Sequence, residues 1–297
     1  MSKRKTPVFT GSATALVTPF KDGEIDFAAL GRNMEFQIEN GTDALVVCGT
    51  TGEASTLSES ERMACIEFVI DKAAGRVPVI AGTGSNDTAR AAMMSRFASE
   101  RGADALLVVT PYYNKATRKG LIRSFGAIAD ASTKPVILYD VPSRTGVELD
   151  LGVLTELAGH PNIAAVKDAS GNVGETARKI AELSDKLDFY SGNDNIILPM
   201  LSIGGAGVIS VASNIIPREV HDICRLFFEG KIGESAALAA RFAPLFHALF
   251  IEVNPIPIKC AMAKTGLCEE EYRLPLCEPE EKSRALIYSA LQNIGLI

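Results

Sequence analysis

Short, continuous apolar runs that alternate with amphipathic stretches constrain this chain more than any other feature of it. The runs cover residues 13–17, 44–48, 77–81, 105–109, 136–139, 163–166, 188–190 and 208–211. Most are too continuous to be strands with one wet face, so both faces should be covered. Between them, Phe27, Leu30, Met34 and Ile38 recur at helical spacing, as do Met63, Ile66 and Ile70. Asp26 and Ser58 stand where N-caps belong, and Gly41 and Gly102 where helices should stop. The repeat is roughly 30 residues, the size of a βαβ unit. Eight units before about residue 230 predict an α/β protein, a closed (β/α)₈ TIM barrel. An open doubly wound sheet is the architectural rival, but it usually carries a glycine-rich phosphate turn after its first strand. Val17-Thr18-Pro19-Phe20 stands there instead.

After Gly230 the alternation stops, and 234–250, 257–265 and 280–293 read as helices. Residues 1–230 are therefore expected to form the barrel, and 231–297 a C-terminal helical appendage packed on it.

The formal net charge of −6 argues against nucleic acid as a partner, since phosphate binding needs a concentrated basic face. None of the six cysteines falls in a C-x-x-C pair and the three histidines are far apart, so neither a disulfide framework nor a metal site is expected. Cys48, ending an apolar run before a glycine, reads as a small buried hydrophobe more readily than as a reactive thiol. Residues 1–7 are basic without the apolar stretch of a secretory signal, and no apolar segment is long enough to span a bilayer. A cytoplasmic protein without membrane attachment is expected.

A barrel places its chemistry at the C-terminal ends of its strands. The second strand runs into Gly49-Thr50-Thr51-Gly52-Glu53, and the fourth into Thr110-Pro111-Tyr112-Tyr113-Asn114. The fifth ends at Tyr139 and continues to Arg144, and the sixth ends in Lys167. A lysine directly after Ile163-Ala164-Ala165-Val166 must enter the barrel mouth with its stem covered. Desolvation there disfavours the ammonium and frees the amine to attack a ketone. The competing reading is a lysine that snorkels into water. Tyr139 on the adjacent strand favours the first, because a phenol beside an amine can shuttle the protons that imine chemistry requires. The Gly49–Glu53 turn offers hydroxyls and backbone N–H groups to a carboxylate, although alone it is as consistent with a plain turn. Arg144 offers a bidentate fork to a second carboxylate, or else is a solvated loop arginine.

Together these segments resemble the dihydrodipicolinate synthases of the N-acetylneuraminate lyase superfamily. The resemblance runs from Phe9-Thr10-Gly11-Ser12 to Asn254-Pro255-Ile256-Pro257-Ile258-Lys259 and beyond. It includes G-T-T-G-E at Gly49, A-G-T-G at Ala81, T-P-Y-Y-N at Thr110, Y-D-V-P-S-R-T-G at Tyr139, Lys167, and Gly204 through Ser210. Lyase and sugar-acid aldolase branches share the tyrosine and lysine but are not expected to carry Arg144. The resemblance implies a cofactor-free homotetramer, a dimer of dimers, at the first committed step of lysine and diaminopimelate biosynthesis. Lys167 would form an imine with pyruvate, and the resulting enamine would add to L-aspartate-4-semialdehyde. Tyr139 would relay protons through Thr50 and Tyr113, with Tyr113 reaching in from a neighbouring subunit. Thr51 and the Ile209 backbone would hold pyruvate, Gly192 would be a further substrate-binding residue, and Arg144 would hold the semialdehyde carboxylate.

One region departs from the pattern. Lysine-inhibited relatives place histidines and a glutamate around a cleft between subunits. Glu59, Arg62 and Arg90 stand at the corresponding positions, beside the polar Ser55, Asn86 and Tyr112. Two arginines facing a cationic ligand would oppose its binding. Two other functions stay open on the residues alone: another pyruvate-dependent class I aldolase with a different aldehyde, and a non-catalytic barrel that binds a keto acid.

Overall fold

The computed structural model describes residues 6–297, so the reading of the first seven residues falls outside it except at Thr6 and Pro7. Eight parallel strands close into a barrel. They are β1 (Gly11–Ala15), β2 (Ala44–Val47), β3 (Val79–Gly82), β4 (Ala105–Val109), β5 (Val136–Asp140), β6 (Ile163–Asp168), β7 (Asp188–Ser191) and β8 (Gly207–Ser210). Each neighbours the next in sequence, and β8 closes on β1. The continuous apolar runs follow from this closure. Alternate residues Ala44, Val46, Ala105, Leu107, Ile137 and Ala165 fill the barrel interior. Their neighbours Leu45, Val47, Leu106, Val108, Leu138 and Val166 face outward into the layer shared with the helices.

Helices α1 (Phe27–Glu39), α2 (Glu59–Ala73), α3 (Thr88–Arg101) and α4 (Arg118–Asp130) lie between the first five strands. Asp26 accepts the Ala29 N–H at 2.8 Å as the α1 N-cap. Ser58 and Glu61 form a reciprocal capping box at the start of α2. Gly102 ends α3 with a left-handed φ of 95°. The chain continues through α5 (Pro142–Thr145), α6 (Leu151–Leu157), α7 (Val173–Leu183), α8 (Ile197–Ser202) and α9 (Pro217–Phe228). Past the barrel come α10 (Ile232–Ala248), α11 (Ile256–Lys264) and α12 (Glu281–Asn293), which share a second apolar core with α8 and α9. Among the described residues no helix is long and apolar enough to cross a membrane.

Strands β1 and β3 are shifted by about two residues from the runs read in the sequence, to Gly11–Ala15 and Val79–Gly82, and two further features depart from that reading. A small hairpin, Phe20–Lys21 with Glu24–Ile25, follows β1. Strand β6 also runs through Lys167 to Asp168, because both residues keep their ladder to β5 and β7. Lys167 is therefore held by sheet on both sides.

Candidate active site

Strand parity decides where the reactive groups point. On β5, Tyr139 shares the inward face with Ile137, and on β6 Lys167 follows Ala165 inward. Tyr139 and Lys167 are direct register partners. The Lys167 Nζ lies 4.3 Å from the centroid of the Tyr139 ring, and the two residues are 5% and 6% exposed. The stem of Lys167 is covered and its amine sits against an aromatic face.

The outward residues on the next rung, Asp140 and Asp168, meet Lys179 of α7 behind the barrel wall. Lys179 Nζ lies 3.4 Å from Asp140, 3.2 Å from Glu148 and 4.0 Å from Asp168. Burial opposes the charge on Lys179, but the carboxylates outweigh it and raise its pKa. Burial also pushes the Asp140 carboxyl up to about 6, against the pull of Lys179. This cluster pins the ends of β5 and β6, the strands that carry the tyrosine and the lysine.

A cavity of about 250 Å³ opens at the barrel mouth, bordered by Thr50, Tyr139 and Arg144 together with Ser55, Arg62 and Tyr112. Thr50 and Arg144, both singled out from the sequence, thus share this cavity with Tyr139, while Lys167, the register partner of Tyr139, is not on its wall. Among the described residues the Thr50 and Thr51 backbone N–H groups find no protein acceptor, the condition for receiving an anion. Thr51 is buried beside this mouth, and its Oγ1 accepts from Asn254 Nδ2 at 3.0 Å. Arg144 is exposed on α5 and donates through Nη2 to the Asn254 carbonyl at 2.9 Å. Asn254 therefore touches both residues expected to hold carboxylates, and the sequence alone assigns it no role. Its signal was present, since it opens the N-P-I-P-I-K stretch.

Ile209 and Gly192 lie outside the cavity wall. Ile209 is fully buried in the barrel interior on β8. Gly192 donates its N–H to the Asp168 carbonyl at 2.7 Å, and a Cβ there would come within 2.7 Å of the Ala169 side chain. Nearby Asp194 accepts the Val211 and Ala212 N–H groups at 3.1 and 2.9 Å and anchors the end of β8. Burial pushes its carboxyl upward, with Lys167 among the charges that oppose the shift. Tyr113 does not join the cavity of its own chain: it is 90% exposed, with a left-handed φ of 73°.

Glu53 ends the Gly49–Glu53 turn and accepts from Lys259 of α11 at 2.6 Å, with both side chains fully buried. Cys48 is buried next to Cys65, whose thiol together with burial pushes the Cys48 pKa well up. It packs as a small buried hydrophobe at the cavity wall, and the raised pKa disfavours its thiolate.

The cleft expected around Glu59, Arg62 and Arg90 partly assembles, and its electrostatics need correction. Ser55, Glu59, Arg62, Arg90 and Tyr112 border a second cavity of about 560 Å³. Asn86 lies off its wall, its carbonyl accepting from the Asn114 side chain at 2.9 Å. Arg62 is buried and turns toward the barrel, donating to the Gly82 and Gly84 carbonyls at 2.8 and 3.4 Å. Arg90 pairs with Glu59 at 2.7 Å. The two arginines are thus not a free pair of charges facing one ligand.

A closed barrel with a lysine and a tyrosine in register at its mouth defines a protein of the class I aldolase type. The chain belongs to the dihydrodipicolinate synthetase family, whose model matches residues 8–294. It is 52% identical over 291 residues to the 4-hydroxy-tetrahydrodipicolinate synthase of Caldicellulosiruptor saccharolyticus, covering 98% of each chain. Among solved structures it matches the dihydrodipicolinate synthase of Aquifex aeolicus with a TM-score of 0.95 and 44% identity, over 97% of this chain and 99% of that one. The Acinetobacter baumannii enzyme, solved in complex with pyruvate, matches at a TM-score of 0.95 and 42% identity, over 97% and 99% of the two chains.

Proposed function

We propose that the protein condenses pyruvate with L-aspartate-4-semialdehyde to give 4-hydroxy-tetrahydrodipicolinate, with Lys167 as the imine-forming residue. The observation that carries this reading is the Tyr139–Lys167 pair, in register and 4.3 Å from Nζ to ring centroid, beside a cavity that Arg144 borders. The Lys167 amine attacks the pyruvate ketone and water leaves. Loss of a methyl proton turns the imine into an enamine, whose carbon adds to the aldehyde. The semialdehyde's own amine then attacks the imine carbon, displaces Lys167 and closes the ring.

Tyr139 lines the cavity and is the proton relay in this scheme, with Thr50 beside it. The 90% exposure of Tyr113 supports its placement in a neighbouring subunit's relay; a homotetramer and a cytoplasmic location are part of the same proposal. Thr51, the Ile209 backbone and Gly192 hold the keto acid, and Arg144 holds the second carboxylate. No cofactor enters the scheme. The test is a comparison of acceptors with pyruvate fixed. Aspartate semialdehyde should turn over, and mannosamine-type and glyceraldehyde-type acceptors should not. Preference for a sugar acceptor would assign the chain to another aldolase branch. A barrel that binds pyruvate but turns over no acceptor would be a keto-acid sensor.

A further inference from the structure

We infer that Asn254 is a positioning residue that sets which way the Thr51 hydroxyl donates, and so tunes affinity for the keto acid without acting on the second substrate. The inference rests on the reading that Thr51 holds the keto-acid carboxylate. A threonine hydroxyl has one hydrogen and can serve as donor or acceptor. Asn254 Nδ2 donates to Thr51 Oγ1 at 3.0 Å, which occupies a lone pair and leaves the hydroxyl hydrogen to point elsewhere. Among the described residues that hydrogen has no protein acceptor. An anion in the turn can take it, and a charge-assisted bond from a preset donor is stronger than one from a hydroxyl that must first reorient.

The rest of Asn254 suits this role. The residue is buried, and the bond to Thr51 is the one hydrogen bond its side-chain amide makes among the described residues. With the amide reversed, Oδ1 would face Thr51 and the threonine would donate away from the substrate, so the two orientations have opposite consequences. The Arg144 guanidinium is held by the backbone carbonyl of Asn254, which a side-chain substitution leaves in place. The side chain therefore serves one carboxylate and the main chain the other. A single residue from the segment before α11 links both anion holders, which lie 203 and 110 positions away from it.

The experiment is a double-mutant cycle read by borohydride trapping at increasing pyruvate. Asn254→Ala should raise the half-saturating pyruvate several-fold, up to roughly tenfold, the worth of the one neutral hydrogen bond that presets the hydroxyl. It should leave the KM for aspartate semialdehyde unchanged. In a Thr51→Val background the same substitution should add nothing, because no hydroxyl remains to orient. Asn254→Asp, an isostere, covers the case in which the alanine variant does not fold. Its carboxylate accepts from Thr51, so half-saturating pyruvate should climb with pH more steeply than in the wild type. An equal effect of Asn254→Ala in both backgrounds, or no effect on pyruvate at all, would overturn the inference. So would a wild-type pH profile in Asn254→Asp. Absence of an adduct in the wild type would remove the underlying functional reading, which separates the two failures.

Discussion

Lys167 and Tyr139 face each other across one rung of the β5–β6 ladder, with the lysine Nζ 4.3 Å from the centre of the phenol ring. Their outward neighbours Asp168 and Asp140 are partners on the next rung and share Lys179. One rung thus carries the reactive pair inside the barrel, and the next carries a buried charge cluster behind it. Such buried, mutually satisfied groups hold a geometry more than they add stability.

Arg144 should govern the aldehyde substrate more than pyruvate. It is exposed at the cavity rim, and its Nη2 is already tied to the Asn254 carbonyl, which leaves the other N–H groups for a carboxylate. Losing a charge-assisted contact costs about 1.5–3 kcal/mol, roughly ten- to a hundredfold in affinity. Arg144→Ala should still form the pyruvate imine while its KM for the semialdehyde rises by that factor. Unchanged kinetics for both substrates would refute the role.

L-Lysine should inhibit weakly or not at all. Glu59, the one carboxylate on the second cavity's wall among the described residues, is already engaged by Arg90 at 2.7 Å, and Arg62 adds positive charge behind it. A diamino acid would have to break that pair to gain a partner. Steady-state rates at fixed, near-KM pyruvate should stay flat at sub-millimolar lysine. Arg90→Ala should increase the response by freeing Glu59. Strong inhibition of the wild type would show that the pair does not guard the cleft.

The Glu53–Lys259 pair should matter most to stability when it is broken on one side. Both side chains are fully buried, and Lys259 also lies 4.2 Å from the centroid of the Phe20 ring. Lys259→Met strips the buried Glu53 carboxylate of its ion-pair partner and leaves it the long contact from the Arg273 N–H at 3.5 Å, a cost of about 3–5 kcal/mol. The double variant Glu53→Gln/Lys259→Met should recover part of the loss in a denaturant titration. Equal destabilisation by the single and the double variant would contradict this.

His221 supplies a pH signature. It contacts Asp43 at 3.0 Å, and that carboxylate holds the imidazolium and raises its pKa above 6.5. A raised native pKa gives stability that is fully present below the unfolded value and is lost as pH rises through the native one. The Tm advantage of the wild type over His221→Gln should therefore shrink as pH is raised from below the ordinary histidine pKa of about 6.5 through the higher native one. A difference that stays constant across that window would show that the pair is not charged.

The barrel was legible because burial on both faces forces continuous apolar strands, and because Asp26, Ser58 and Gly102 mark helix ends by local chemistry. Tyr139, Arg144 and the Gly49–Glu53 turn were legible because barrel geometry says where strands deliver their ends. What escaped depends on long-range packing. Lys179 reads as one more polar residue on an amphipathic helix until the outward parity of Asp140 and Asp168 is known. Sequence puts Arg62 beside a ligand because it cannot show that the guanidinium turns to backbone carbonyls 20 and 22 residues on. Asn254 opens the N-P-I-P-I-K stretch, but its bond to Thr51, 203 residues away, lies beyond any local pattern.

The central claim is that Lys167 carries the covalent chemistry. The most direct measurement is reduction with borohydride in the presence of pyruvate, followed by proteolysis and mass analysis of the peptides. The account predicts a pyruvate-derived mass increase on the peptide containing Lys167, absent without pyruvate and absent in Lys167→Ala. A label on Lys179, Lys259 or any other lysine, or no label at all, would contradict it.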